Sequence, residues 1–202
     1  MTAIFAVDPG GKGAGVDMFA FYDLGAPSFM VRAVYPGKPL IHDAQMLENV
    51  TCDLYVIERQ AIRMGRDSGA KVKGLSDLFR TIGRWDLISE RPEFTAERME
   101  LAWGDIKTDV QKLLAVIRWP DTELATRLRE QPFAEKANAK ASEMKLAGAE
   151  AVVKLLPEMQ VRAYFLNRNG RLNDGPCDAF LLGVGAWLKY NNKPLDNRKR
   201  KP

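Results

Sequence analysis

Four acidic residues stand where a folded chain exposes side chains to ligands. Asp8 closes the apolar run Ala3 to Val7 and is followed at once by Pro9-Gly10-Gly11, a sequence that cannot continue a strand. Glu58 closes a second short apolar run, Leu54 to Ile57. Asp174 and Asp178 precede the apolar stretch Ala179 to Leu188, and two residues four apart share a face if both are helical. Strand ends and helix starts are the ligand-facing positions of α/β folds. Carboxylates converging there repel one another unless a hard, oxygen-ligated divalent cation such as Mg²⁺ or Mn²⁺ relieves the repulsion. Two such ions about 3.5–4 Å apart would serve hydrolysis of a phosphodiester. The competing use of acids at element ends is capping.

Charge is distributed to suit that chemistry. From Met1 to Glu58 seven acids face three bases, whereas from Arg59 to Arg84 seven bases face two acids. Arg59, Arg63, Arg66, Lys71 and Lys73 follow Glu58 directly, and such a basic track beside carboxylates suits a nucleic-acid backbone. Gly65, Gly69 and Gly74 punctuate it, so the segment to Gly74 reads as a loop that reshapes around its ligand, or simply as a solvated loop. Other chemistries are poorly served. Two cysteines, Cys52 and Cys177, are too few for a disulfide framework or a thiolate zinc site, and the single His42 excludes a multi-histidine metal centre.

The elements that must position these residues follow from pattern. Gly15 to Tyr22 and Phe29 to Tyr35 are strand-like and, with Ala3 to Val7, form an antiparallel meander. His42 to Asn49 reads as a short helix and Leu54 to Ile57 as a buried strand. Ser76 to Ile88 carries Leu78, Phe79, Ile82 and Trp85 at helical spacing. Within Ala96 to Arg118 the best strand is Leu113 to Trp119. Asp121 to Glu130 and Ala134 to Leu156 read as helices, each stopped by a proline, and a last helix begins near Pro176. Strands first, then a strand and helices, imply a mixed sheet with helices packed on it. With 202 residues, 46% of them apolar and 28% charged, one domain is expected, spanning residues 1–190 with a basic, disordered tail over 191–202. No run is long and apolar enough to span a membrane, and no secretory signal opens the chain, so a cytoplasmic protein with no membrane partner is expected.

The stretches that hold the acids also carry a resemblance. IFAVDPGGKGAGV resembles the first motif of RuvC-type Holliday junction resolvases, particularly their phage-encoded branch. LYVIERQ resembles the second, and MGRDSGAKVKGLSDLFRTIGRWDLI the loop and helix after it. DGPCDAFLLGVGAWL resembles the last, in the four-residue DGxxD spacing of phage members. The matches stand in order and cover most of the chain, with 91 to 135 the weakest part. The resemblance implies an α/β, RNase H-like fold: a mixed five-stranded sheet flanked by helices. It implies a homodimer that nicks two strands of a four-way DNA junction with two Mg²⁺ or Mn²⁺ ions per site.

Carried over position by position, Asp8, Glu58 and Asp178 match the metal-binding carboxylates, with Asp174 as the fourth. The family also sets a lysine near the scissile phosphate, on a helix that EKANAKASEMKLAGAEAVVKLLPE resembles; Lys140 and Lys145 both match. Part of the helix bearing Leu75, Leu78, Phe79, Ile82 and Trp85 corresponds to a dimer face. One departure stands out. Where bacterial members place an aromatic wedge three residues after the glutamate, this chain has Ala61, leaving Ile62, Met64 or no wedge at all.

The reading that follows is a metal-dependent, junction-resolving endodeoxyribonuclease. Its alternatives are a broader flap or fork nuclease and a catalytically silent protein that binds branched DNA. A sugar-kinase or actin-like ATPase also opens on an aspartate before a glycine hairpin, but it needs two such domains, and this chain has length for one.

Overall fold

The structure, a computed structural model, describes residues 1–9, 13–36, 51–59, 69–91, 95–131, 133 and 141–191, and for 36 and 69–75 the backbone only. Strands β1 (Thr2–Asp8), β2 (Ala14–Asp23), β3 (Ala26–Pro36), β4 (Leu54–Glu58) and β5 (Glu97–Leu101) form one sheet in the order β3-β2-β1-β4-β5. The meander β1-β2-β3 is antiparallel, whereas β4 and β5 run parallel to β1. Helices α1 (Gly69–Ser89), α2 (Trp103–Val116), α3 (Glu123–Glu130) and α4 (Glu143–Leu155) follow. A short turn α5 (Glu158–Gln160) runs into a π-helical turn, Val161–Phe165, and α6 (Asp174–Asn191) is last. The expected mixed five-stranded sheet flanked by helices is present. Among the described residues no helix is long and apolar enough to cross a membrane.

Alternation along β1 and β4 divides the core. Ile4, Ala6, Leu54 and Val56 face one side, with α2, α4 and α6; Phe5, Val7, Tyr55 and Ile57 face the other, under Trp85 and Ile88 of α1. Helix α6 is buried on every side from Pro176 to Trp187, as its nearly unbroken apolar composition requires. Two glycines permit its depth. A Cβ on Gly183 would meet Met18 Sδ at 2.6 Å, and one on Gly185 would meet Ile106 Cβ at 2.7 Å.

Three expectations need correction. The fifth strand is Glu97–Leu101, not Leu113 to Trp119. Leu113 and Leu114 end α2, whose buried Ile106, Val110 and Leu114 recur every four residues, and the apolar cluster there is only the last turn of that stripe. True β5 hid because it is an edge strand, with Glu97, Arg98 and Glu100 exposed and Leu101 alone buried. Helix α1 starts at Gly69, seven residues before Ser76, so Lys71 and Lys73 lie on a helix rather than in a loop. Apolar period marks where a helix is covered, and Ala70, Lys71 and Lys73 continue one without it. Helix α4 begins at Glu143, because Ser142 caps it by accepting from the Lys145 N–H at 3.3 Å. Residues 134–140 and the helix expected over His42 to Asn49 lie outside the described residues.

Candidate active site

The acids arrive at one edge of the sheet by simple geometry. In the parallel pair β1·β4 the register sets Val7 beside Ile57, so Asp8 and Glu58 are the next residues of two neighbouring strands at their carboxyl ends. Side chains alternate, and both follow residues of the α1 face, so both turn toward the α6 side. The same rule excludes Asp17: it is paired with Phe5, on the opposite face, and is bound to Arg32 at 2.6 Å. Asp174 opens α6 and Asp178 follows one turn later, so the buried helix delivers its two carboxylates to the edge where β1 and β4 end.

Asp174, Asp8 and Glu58 all lie within electrostatic reach of Asp178. Burial, then the negative charge of Asp174, Asp8 and Glu58, push the Asp178 carboxyl up to about 8, while Lys145 pulls it down. Asp8 is 9% exposed and Asp178 8%. Lys145, from the first turn of α4, makes an ion pair with Asp174 through Nζ and Oδ2. Among the described residues, Asp174 Oδ1 and Asp178 Oδ1 are buried and accept no hydrogen bond. Buried carboxyl oxygens left without a partner are rare in folded proteins, and a divalent cation would satisfy these. The donor set is entirely of hard oxygens, as Mg²⁺ or Mn²⁺ prefers. Among the described residues, however, no three Asp, Glu, His or Cys side chains are grouped in a metal-holding arrangement as they stand.

Two residues of this site escaped sequence reasoning. Gly148 lies one turn after Lys145 on α4, and a Cβ there would meet Asp178 Oδ1 at 3.0 Å and the Cys177 carbonyl oxygen at 3.1 Å. The signal was available: a glycine inside an alanine-rich helix costs about 1 kcal/mol and implies a close approach. Asp105 is the other. It accepts from the Ala102 N–H at the start of α2 and holds the Arg59 guanidinium at 3.0 Å.

Of the basic residues, Arg59 is therefore beside the acids, tied to Asp105 but still 57% exposed. Lys71 and Lys73 are placed by backbone alone, in the first two turns of α1. Arg63, Arg66, Lys140, His42 and the wedge positions 61, 62 and 64 lie outside the described residues. On the α1 side a groove is lined by Glu58 itself together with Arg59, Arg98, Leu78, Phe79 and Ile82. Neither cysteine suits nucleophilic work. Burial pushes Cys52 up to about 12, and burial with Asp178 and Asp174 raises fully buried Cys177 well above a free thiol.

No protein-family model matches the chain, and no curated protein sequence matches it either. Solved structures do. The Thermus thermophilus RuvC structure matches with a TM-score of 0.52 at 10% identity, over 94% of this chain and 95% of that one. T. thermophilus RuvC in complex with Holliday junction substrate gives 0.42 at 11%, over 80% and 96%. Fowlpox virus resolvase with substrate Holliday junction DNA gives 0.37 at 11%, over 93% and 99%. The first of these establishes that the chain has the RuvC-type, RNase H-like fold.

Proposed function

We propose that the protein is a divalent-cation-dependent endonuclease that resolves four-way DNA junctions by paired nicks as a homodimer. One observation carries the catalytic part of this reading. Asp8 and Glu58 end neighbouring strands within electrostatic reach of buried Asp178, and among the described residues Asp174 Oδ1 and Asp178 Oδ1 are buried without a partner. The choice of a junction as substrate rests on the ordered motif resemblance, on the shared fold and on the basic segment beyond Glu58.

Asp8, Glu58, Asp174 and Asp178 would hold Mg²⁺ or Mn²⁺, two ions per site. Bound there, the ions would supply Lewis-acid stabilisation of a scissile phosphate and lower the pKa of a water. The chain's own groups do the rest. Lys145 adds positive charge next to Asp174, where a phosphate's developing charge needs it. Arg59 stands exposed beyond Glu58, where it and the basic residues after it in sequence, Arg63, Arg66, Lys71 and Lys73, attract the DNA backbone without reading bases. Burial of Asp178 lowers the local dielectric and so strengthens its charge interactions.

The test is cleavage of labelled four-way junction, flap and linear duplex DNA with and without Mg²⁺, beside Asp8→Asn. Symmetric paired nicks on the junction, absent from the variant although it still binds, are the expected result. Equal cutting of flap and junction would replace the junction reading with a broader branched-DNA nuclease. Binding without any metal-dependent nick would leave a catalytically silent DNA-binding protein.

A further inference from the structure

Lys145 occupies an unusual place for a cation. It is the third residue of α4, where the helix dipole is positive and disfavours a basic side chain. Its side chain is only 31% exposed, and it turns inward to Asp174, whose side chain is 17% exposed. The same ammonium offsets the charge on Asp178. Gly148, one turn further along α4, brings the helix close enough for this by leaving space against Asp178 Oδ1. A lysine kept at the wrong end of a dipole, half out of water, is held there by the acids.

We propose that Lys145 is the resident counter-ion of the acidic cluster, and that a divalent cation loads by taking its place on Asp174. The inference deepens the reading of the four acids as a divalent-cation site and rests on it. It follows that the cluster exists in two arrangements. In one, Lys145 is bound to Asp174 and the acids are not grouped around an ion. In the other, the cation holds the acids and the ammonium is released toward incoming phosphate. Lysine and cation compete for the charge of one carboxylate, Asp174, so Lys145 weakens ion binding even while it favours phosphate. By linkage, DNA phosphate that engages the released ammonium tightens the ion in turn. Lys145 is thus a positioning residue for the ion.

The experiment is calorimetric titration of Mn²⁺, at one fixed pH and without DNA, into wild type, Lys145→Met, Lys145→Arg, Asp174→Asn and the Lys145→Met/Asp174→Asn double variant. The expected result is roughly ten-fold tighter Mn²⁺ binding by Lys145→Met than by wild type, the scale of one charge-assisted hydrogen bond that no longer has to be broken. Lys145→Arg should bind as wild type does, and the gain should vanish when Asp174 is already an amide. Lys145→Gln replaces Lys145→Met if the latter does not give a cooperative thermal transition. Equal or weaker Mn²⁺ binding by Lys145→Met, with wild type binding normally, would overturn the counter-ion role and leave the cation site standing. Absence of Mn²⁺ binding by every form would overturn both.

Discussion

Asp178 is ionised at a cost set by its surroundings. Burial and three neighbouring carboxylates raise it from 3.8 to about 8, so the folded chain holds a proton across that window which the unfolded chain has lost. Stability from this group therefore falls as pH rises from about 4 to about 8, and the full penalty applies above that. Asp178→Asn removes the charge without changing the shape. In chelator, it should melt higher than wild type at pH 9 and indistinguishably near pH 4, as thermal unfolding across pH will read. A cation that ionises Asp178 must also expel its proton. Mn²⁺ binding near pH 7 should release about one proton, visible as a dependence of the calorimetric heat on buffer ionisation enthalpy. Asp8→Asn stands in contrast, since Asp8 ends β1 beside Glu58 and presents its carboxylate directly to the edge. Its loss should lower nicking by about 10²–10³-fold or more while leaving junction affinity within a few-fold, measured by single-turnover cleavage and fluorescence anisotropy.

At the scale of elements, helix α4 sets the site by how closely it approaches α6. Gly148→Ala inserts a methyl against Asp178 Oδ1 and the Cys177 carbonyl, both fixed by the buried start of α6. Overpacking of this kind costs about 1–3 kcal/mol, partly offset by the better helix propensity of alanine. The variant should keep a cooperative melt yet bind Mn²⁺ at least several-fold more weakly. Gly185→Ala serves as the control: its methyl would strike Ile106, away from the acids, and should lower the melting temperature without selectively weakening the ion. What was legible in the sequence divides along the same physical line. The positions of Asp8 and Glu58 at strand ends, and of Asp174 and Asp178 at a helix start, were legible because apolar runs mark those elements. Strand β5 was not legible, because an edge strand with one buried residue carries almost no alternation. Neither were the pairing of Lys145 with Asp174 nor that of Arg59 with Asp105, which join residues far apart in sequence through tertiary packing that no local pattern encodes.

For the whole molecule, the proposed function requires that one site become two coordinated cuts. Helix α1 buries Thr81, Trp85 and Ile88 against the sheet but leaves Phe79 53% and Leu87 59% exposed. Phe79, Gly83 and Leu87 recur every four residues, which makes an apolar stripe with a flat centre facing away from the core. The sequence resemblance assigns part of this helix to a dimer face, and a two-fold axis through it would relate two acidic edges symmetrically. The groove lined by Glu58 is walled by the same helix, so the stripe and the acids are joined through rigid secondary structure rather than a linker. On the proposed function, paired nicking would depend on contact at α1, while single-strand chemistry would not. Leu87→Asp is the sharper probe, because Leu87 lies outside the groove and its charge would be desolvated only in a dimer. Sedimentation equilibrium should show a monomer, and junction assays in a cruciform plasmid should yield nicked circles in place of linear product, with the rate of the first nick reduced by less than about ten-fold. A variant that stays dimeric and still linearises the plasmid would move the interface off α1 altogether.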